Sequence, residues 1–148
     1  MTVAVAMSGG VDSSVAALLL ARAGHRVVGL HMHLYGVCKG LAADMTRSCC
    51  SPADEAVARR VAAAIGIPFH VVDLSARFRE AVIEPFARAY ATGRTPTPCV
   101  ACNHALKFAA LLDRATAMGA DAVATGHYAR IAARGGRPAI ARPADRRG

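Results

Sequence analysis

The start of the chain joins an apolar strand pattern to a helix pattern through a turn of glycine and serine. Residues 3–7 are apolar, residues 8–10 read Ser-Gly-Gly, and a helix pattern begins near Asp12. Glycines allow backbone N–H groups to approach an anion, and the N-terminus of the following helix adds unpaired donors and a favourable dipole. The hydroxyls of Ser13 and Ser14 are further candidate donors. The pattern predicts a phosphate-binding turn, with an ordinary glycine turn as the alternative.

This turn differs from a Walker-type P-loop. It lacks the Gly-Lys-Ser/Thr ending, so the lysine that reaches the terminal phosphates in that motif has no counterpart in residues 8–14. We therefore expect a different arrangement of phosphate ligands.

Length and composition favour one globular domain in the cytoplasm. The chain has 148 residues, 54% of them hydrophobic, which is enough for a core without a metal or disulfide. The longest apolar run, residues 15–21, is too short to cross a bilayer, and no signal-like segment opens the chain. The net charge of +8 is concentrated from residue 130 onward, where six arginines accompany one acidic residue. Such a basic tail is weak evidence for a polyanionic partner.

Apolar periodicity predicts alternating strands and helices. This alternation is typical of an α/β fold with a parallel sheet, in which ligands bind at the carboxyl ends of the strands. Residues 34–50 show no sustained period and are predicted to form a functional loop, and a hairpin is expected across Gly135 and Gly136. The predicted strands are 2–7, 27–33, 69–72 and 122–125, and the predicted helices are 11–23, 52–65, 75–90 with a break or kink at Pro85, and 100–118.

Three of the predicted helices carry specific expectations. In the first, Val15, Leu18 and Leu19 are expected to face inward because they lie at helical spacing. In the last, Leu106, Leu111 and Leu112 are expected inward. Ser51 and Asp54 predict a capping box before the second helix. His31 and His33 lie at the carboxyl end of a strand and are candidates to approach a ligand, but a packed or solvated histidine is the favoured interpretation. Lys107 is interpreted as a surface charge, with a contact to RNA phosphates as the alternative.

A second informative stretch is the cysteine segment. Thr97 and Pro98 lead into Cys99 and Cys102, and Cys102 falls in the first turn of a predicted helix, where the dipole favours a thiolate. A Cys-x-x-Cys pair alone leaves several interpretations open: a zinc half-site, a redox pair, iron–sulfur ligands or two buried thiols. The absence of a secretion signal favours reduced cysteines.

Together these motifs resemble one family. Ser-Gly-Gly-Val-Asp-Ser-Ser at 8–14 resembles the PP-loop of the ATP pyrophosphatases. The addition of Cys-Val-Ala-Cys-Asn at 99–103, Lys-Phe at 107–108 and Thr-Gly-His-Tyr-Ala-Arg at 125–130 is similar to the tRNA-specific 2-thiouridylases. The resemblance implies a Rossmann-like fold of the adenine nucleotide α-hydrolase (HUP) type. It implies a sulfurtransferase that adenylates the C2 oxygen of the wobble uridine (U34) of tRNA with ATP and then displaces AMP with a persulfide sulfur.

The resemblance also implies roles for individual residues. Cys102 corresponds to the nucleophile, and Asp12 is a candidate Mg²⁺ ligand with a part in catalysis. The substrate side would include Thr97, Pro98, Cys99 and His127. The expected partners are tRNA and a persulfide donor, either a cysteine desulfurase or a relay protein, without a membrane. The expected nucleotide-binding residues are Ala6, Met7, Ser8, Gly9, Gly10, Val11, Asp12, Ser13, Met32 and Gly126.

The chain departs from the family pattern in three ways. Cys99 stands where many relatives have an aspartate, and Cys49 and Cys50 add thiols that, with Cys99 and Cys102, are a candidate zinc or iron–sulfur site. Loop cysteines without a metal are the favoured interpretation. The family also continues beyond this length into a second catalytic cysteine, which forms a disulfide with the first, and into RNA-binding domains.

We therefore expect residues 1–132 to form the ATP-binding domain and residues 133–148 to be a basic tail that starts a missing central domain. Two alternatives remain open. One is a nucleotide-binding fragment without turnover. The other is a different PP-loop adenylating enzyme, such as a cytidine thiolase or an amide-forming synthetase.

Overall fold

The computed structural model describes residues 1–34 and 51–142. Its centre is a parallel four-stranded sheet in the order β3-β2-β1-β4, which confirms the predicted α/β class. The predicted loop at 34–50, with Cys49 and Cys50, lies outside the described residues apart from Leu34. The strands are β1 (Thr2–Ala6), β2 (Arg26–His33), β3 (Phe69–Asp73) and β4 (Ala122–Ala124).

Helices cover both faces of this sheet. The α-helices are α1 (Val11–Arg22), α2 (Pro52–Ile65), α3 (Ser75–Phe78), α4 (Glu84–Ala91), α5 (Pro98–Cys102) and α6 (Leu111–Ala117). Two π-helical segments, Arg79–Ile83 and Asn103–Ala110, join α3 to α4 and α5 to α6. The chain therefore forms two long helical stretches, 75–91 and 98–117, each with a wider turn inside it.

Each face of the sheet has its own apolar core. Val3, Val5 and Met7 point to one face, where they pack with residues of α1 and α2 such as Ala17 and Ala58. Alternate residues point to the other face, and there Ala4, Leu30 and Met32 pack against the two long helical stretches. The period of two along each strand thus divides the apolar residues between two helix layers.

The strand order places a switch point between β1 and β4. From β1 the chain moves outward to β2 and β3, and it then returns to add β4 on the other side of β1. In open parallel sheets the crevice at such a point, outside the carboxyl ends of the strands, is where ligands bind. A ligand site is therefore expected between the loops that follow Ala6 and Ala124.

Several helix predictions are confirmed and others are wrong. Ser51 and Asp54 form the predicted capping box. Leu106 and Leu111 are fully buried as expected, whereas Leu112 is 47% exposed. Val15 and Leu19 are also exposed, because α1 turns Ser13 and Ala17 toward the sheet instead.

Pro85 does not end its helix. The helical stretch continues to Ala91, with Pro85 at the start of α4 directly after the first π-helical segment. A π-turn changes the local hydrogen-bond pattern, which lets the chain continue although proline lacks an N–H donor.

The predicted hairpin is present at the end of the described chain. Strands β5 (Arg130–Arg134) and β6 (Arg137–Ala141) pair antiparallel, and Gly135 and Gly136 both have positive φ in the turn between them. Ile131 and Ile140 form an exposed cross-strand pair. Within residues 1–34 and 51–142, no helix is long and apolar enough to span a membrane.

Candidate functional site

The junction between β1 and α1 is held by short polar contacts. The hydroxyls of Ser13 and Ser14 donate to the carbonyl oxygen of Gly10, at 3.0 and 2.9 Å, and the Ser8 N–H donates to Ser13 Oγ at 3.3 Å. Gly10, the residue before α1, has an extended backbone and no side chain that could cap the helix. The first-turn N–H groups of α1 therefore have no capping side chain, which leaves this helix end suited to an anion.

Gly9 is the point where the loop meets α2. Its φ is +84°, and a Cβ built at this position would lie 2.6 Å from the backbone oxygen of Asp54. Glycine is therefore required for two reasons: it adopts this positive φ readily, and a Cβ would clash with the Asp54 backbone. The capping box of α2 fixes Asp54, with Ser51 Oγ accepting from the Asp54 N–H at 3.2 Å.

A cavity of about 200 Å³ opens at this edge of the sheet. Its walls come from the β1–α1 junction, from β2, from the turn after β4 and from the second π-helical segment. The lining residues are Ala6, Met7, Ser8, Gly10, Asp12, Ser13, Leu30, His31, Met32, Lys107, Thr125, Gly126 and His127. The structure thus brings together most of the residues for which a nucleotide-binding role is expected, while Gly9 and Val11 lie outside this lining.

His31 forms part of the cavity wall and is 1% exposed. Its Nδ1 lies 2.8 Å from the carbonyl oxygen of Met7, and because a carbonyl can only accept, Nδ1 carries the proton. The expectation of a packed histidine is confirmed. Its contact also ties β2 to the residue that follows β1.

The turn after β4 approaches the N-terminus of α1 closely. A Cβ on Gly126 would lie 2.7 Å from the Ser13 nitrogen and 2.9 Å from the carbonyl carbon of Asp12. His127 Nδ1 lies 2.8 Å from Thr125 Oγ1, and its ring lies 5.5 Å from that of Phe108. The hydroxyl of Tyr128 donates to Asp12 Oδ1 at 2.8 Å. This turn and α1 therefore form one wall.

Lys107 is half-buried, not the fully exposed surface charge that the sequence favours. Its side chain lines the cavity from the second π-helical segment. A π-turn displaces the side chains around it relative to an α-helix, and no pattern of apolar residues in the sequence predicts such a turn. The cavity wall therefore includes a lysine from a distant helical segment, although the β1–α1 junction lacks the Walker lysine.

Neither cysteine of the Cys-x-x-Cys pair lines the cavity, although Cys102 shares an apolar core with Met32, which does. Cys102 is 8% exposed and belongs to the apolar core that includes Met32 and Leu34, whereas Cys99 is exposed. Thr97 and Pro98 are exposed as well. Among the described residues, no group of three or more His, Cys, Asp or Glu side chains is placed to hold a metal ion.

Fold and cavity together define a Rossmann-like α/β domain with a glycine- and serine-rich junction at its switch point. The chain belongs to the family of the tRNA methyl transferase HUP domain, whose model matches residues 1–148. This membership agrees with the parallel sheet and its helices, and with the fold expected from the sequence.

Curated relatives in this family carry the name tRNA-specific 2-thiouridylase MnmA. The relative from Mycobacteroides abscessus is 59% identical over 131 residues, which cover 88% of this chain and 36% of the relative. The relative from Brucella ovis is 54% identical over 143 residues, covering 97% of this chain and 35% of the relative. The chain therefore spans about a third of the length of these relatives.

Two solved structures share the fold at low sequence identity. A predicted subunit of tRNA methyltransferase from Methanocaldococcus jannaschii superposes with a TM-score of 0.57 at 21% identity, over 86% of this chain and 53% of the other. The NMN synthetase from Francisella tularensis gives a TM-score of 0.50 at 17% identity, over 82% of this chain and 43% of the other. These similarities support the architecture alone.

Proposed function

We propose that this chain binds ATP in the cavity between β1 and β4 and serves as the nucleotide-binding part of a tRNA-specific 2-thiouridylase. The observation that carries the proposal is the junction of Ser8 to Ser13, which packs directly against the turn at Gly126 and lines one cavity with it. The relatives' shared name supports the substrate class. A tRNA substrate is consistent with the cytoplasmic location expected from the sequence.

The phosphates would lie at the N-terminus of α1. The N–H groups of its first turn provide donors and a positive dipole end, and Ser8 offers a hydroxyl. Lys107 adds a positive charge from the second π-helical segment. The adenine and ribose would lie toward Met32 and Gly126.

Asp12 is the residue suited to a magnesium ion that accompanies the nucleotide. Mg²⁺ in nucleotide sites commonly has one or two carboxylate ligands and completes its coordination with phosphate oxygens and water. A single carboxylate beside the proposed phosphate position fits that requirement. When bound, the ion would neutralise charge on the phosphates, and Asp12 would orient it.

The proposed reaction is the one that the family resemblance implies, and it is consistent with the chemistry of the uridine carbonyl. The C2 oxygen attacks the α-phosphate of ATP and pyrophosphate leaves, which converts a poor leaving group into AMP. The terminal sulfur of a persulfide on Cys102 then attacks C2, and AMP departs with the oxygen. A second cysteine, which the resemblance places beyond this chain, cleaves the remaining S–S bond and forms a disulfide with Cys102.

Other parts of the proposal come from the same resemblance. Thr97, Pro98, Cys99 and His127 would contact the substrate, and a cysteine desulfurase or a relay protein would supply the persulfide. Residues 1–132 would form the ATP-binding domain, and residues 133–148 would lead into the next one. The candidate zinc or iron–sulfur site formed by Cys49, Cys50, Cys99 and Cys102 stays a prediction, as does the favoured alternative of loop cysteines without a metal.

Thermal melts with ATP and Mg²⁺ test the central claim. At a ligand concentration of 100 times Kd, binding adds about 2.7 kcal/mol, which raises the Tm of a domain of this size by about 5–10 °C. Asp12→Ala and Ser8→Ala should remove most of the shift. Asp113→Ala, which removes an exposed carboxylate in α6, should keep it. A wild-type Tm that ATP does not change would overturn the proposal.

The burial of Cys102 favours a second candidate function, nucleotide binding without turnover by this chain alone. A thiol that is 8% exposed in an apolar core is poorly placed to receive a persulfide. Alkylation of Cys102 by iodoacetamide, followed by mass spectrometry, separates the two candidates. Faster alkylation with ATP present supports sulfur transfer, and unchanged slow alkylation supports the second candidate.

A further inference from the structure

We propose that Tyr128 is a positioning residue that holds the Asp12 carboxylate in the orientation needed to bind the magnesium ion of the nucleotide. The inference rests on the proposed function, because it concerns the same cavity. Tyr128 follows β4 and Asp12 lies in the first turn of α1, 116 positions away, yet the hydroxyl and Oδ1 are 2.8 Å apart.

The Tyr128 side chain is 59% exposed, but the backbone two residues before it is closely packed. Gly126 lies so near the N-terminus of α1 that a Cβ there would be 2.7 Å from the Ser13 nitrogen and 3.1 Å from the Asp12 Cβ. The two segments therefore have little freedom to separate at this point. Tyr128, two residues later, is carried by a backbone already fixed against the helix that carries Asp12.

The chemistry of the pair suits a metal ligand. A phenol is a neutral donor, so it orients the carboxylate without cancelling its charge, whereas a lysine or arginine would compete with the cation. One carboxylate oxygen accepts from Tyr128, and the carboxylate keeps lone pairs for a metal ion. Holding an aspartate in one orientation before the ion arrives lowers the entropic cost of binding.

The same geometry predicts an effect that depends on magnesium. With the ion present, a fixed Asp12 attracts the complex of metal and nucleotide. Without it, the carboxylate is a negative charge near the phosphates, and releasing it relieves repulsion. Loss of the Tyr128 hydroxyl should therefore weaken the binding of Mg²⁺–ATP and leave the binding of metal-free ATP unchanged or tighter.

Isothermal titration of ATP, in Mg²⁺ and separately in EDTA, tests this on the whole chain. Tyr128→Phe should raise Kd about three- to tenfold in Mg²⁺, the range expected for one net hydrogen bond, and should not raise it in EDTA. Tyr90→Phe is the matched control, because Tyr90 is 66% exposed in α4 and lies outside the cavity lining. It should leave both values unchanged.

A double-mutant cycle shows whether Tyr128 acts through Asp12. In the Asp12→Asn background, Tyr128→Phe should have little further effect on the Kd for Mg²⁺–ATP, since the group that it positions is already altered. Additive losses, or an equal loss in Mg²⁺ and EDTA, would overturn the inference and leave nucleotide binding intact. If the wild-type chain binds no ATP in either buffer, the proposed function itself fails.

Discussion

Gly9, in the β1–α1 junction, lies directly against the backbone of Asp54 in α2. A positive φ at a glycine in a turn is expected from the sequence, but the proximity of Asp54 is not, because it depends on how α2 lies against the loop. The loop that faces the cavity is therefore supported from behind by the capped end of α2. A change at Gly9 should affect folding as well as binding.

Comparison of two alanine substitutions separates these effects. Gly24→Ala places a Cβ in open space at a φ of +82° and should lower the free energy of unfolding by about 1 kcal/mol. Gly9→Ala adds a clash with the Asp54 backbone at a nearly equal φ of +84° and should lower it by about 2–4 kcal/mol. Urea unfolding followed by circular dichroism measures both. Equal losses would show that α2 moves away freely.

Contacts between distant residues limited what could be predicted of the site. Ser8, Asp12 and Met32 belong to local motifs at strand ends, and the structure places all three in the cavity wall. Tyr128 meets Asp12 across 116 positions, and Lys107 reaches the cavity through a π-turn. Neither arrangement has a periodic signal in the sequence, since each depends on the packing of separate elements.

Individual helices show why patterns of apolar residues predict faces imperfectly. Helix α1 has apolar residues around most of its circumference, so its spacing fits more than one inward face. The sheet selects Ala17, which is small enough to bring the helix close, and leaves Val15 and Leu19 outside. The capping box of α2 was predictable because it involves residues only three positions apart.

The start of α3 gives a prediction that depends on pH. Ser75 donates to Asp73 Oδ1 from its hydroxyl at 2.6 Å and from its backbone N–H at 2.9 Å. These bonds, together with the charge of His33, lower the pKa of the Asp73 carboxyl below its ordinary value. A lowered folded-state pKa stabilises the fold above the unfolded pKa, and this stability is lost as pH falls through the folded pKa.

Asp73→Asn should therefore be less stable than the wild type at pH 7. The difference should shrink as the pH falls below the ordinary Asp pKa of about 4 and then through the lower pKa of Asp73 in the folded state. Urea midpoints measured between pH 7 and pH 2.5 test this. Asp113→Asn, at an exposed position in α6, is the control for general charge effects. A difference that stays constant over this range would contradict the explanation.

At the scale of the molecule, the four-stranded sheet organises residues 1–34 and 51–124, and it is shared between two apolar cores. The alternation of strands and helices was enough to predict its class, because each crossover between parallel strands needs a helix. The order β3-β2-β1-β4 was not predictable from periodicity, since the pattern of β4 does not show on which side of β1 it pairs. That order creates the crevice in which the cavity lies.

The core that covers the π-helical side of the sheet should dominate stability. Leu106 is 0% exposed, whereas Leu112, in the same helical stretch, is 47% exposed. Leu106→Ala should lower the free energy of unfolding by about 2–5 kcal/mol, a large share of the roughly 5–15 kcal/mol typical of a domain. Leu112→Ala should change it by about 0.5 kcal/mol or less. Chemical denaturation of both variants measures the contrast, and similar losses would mean that Leu112 is covered in solution by a surface that buries it as fully as Leu106.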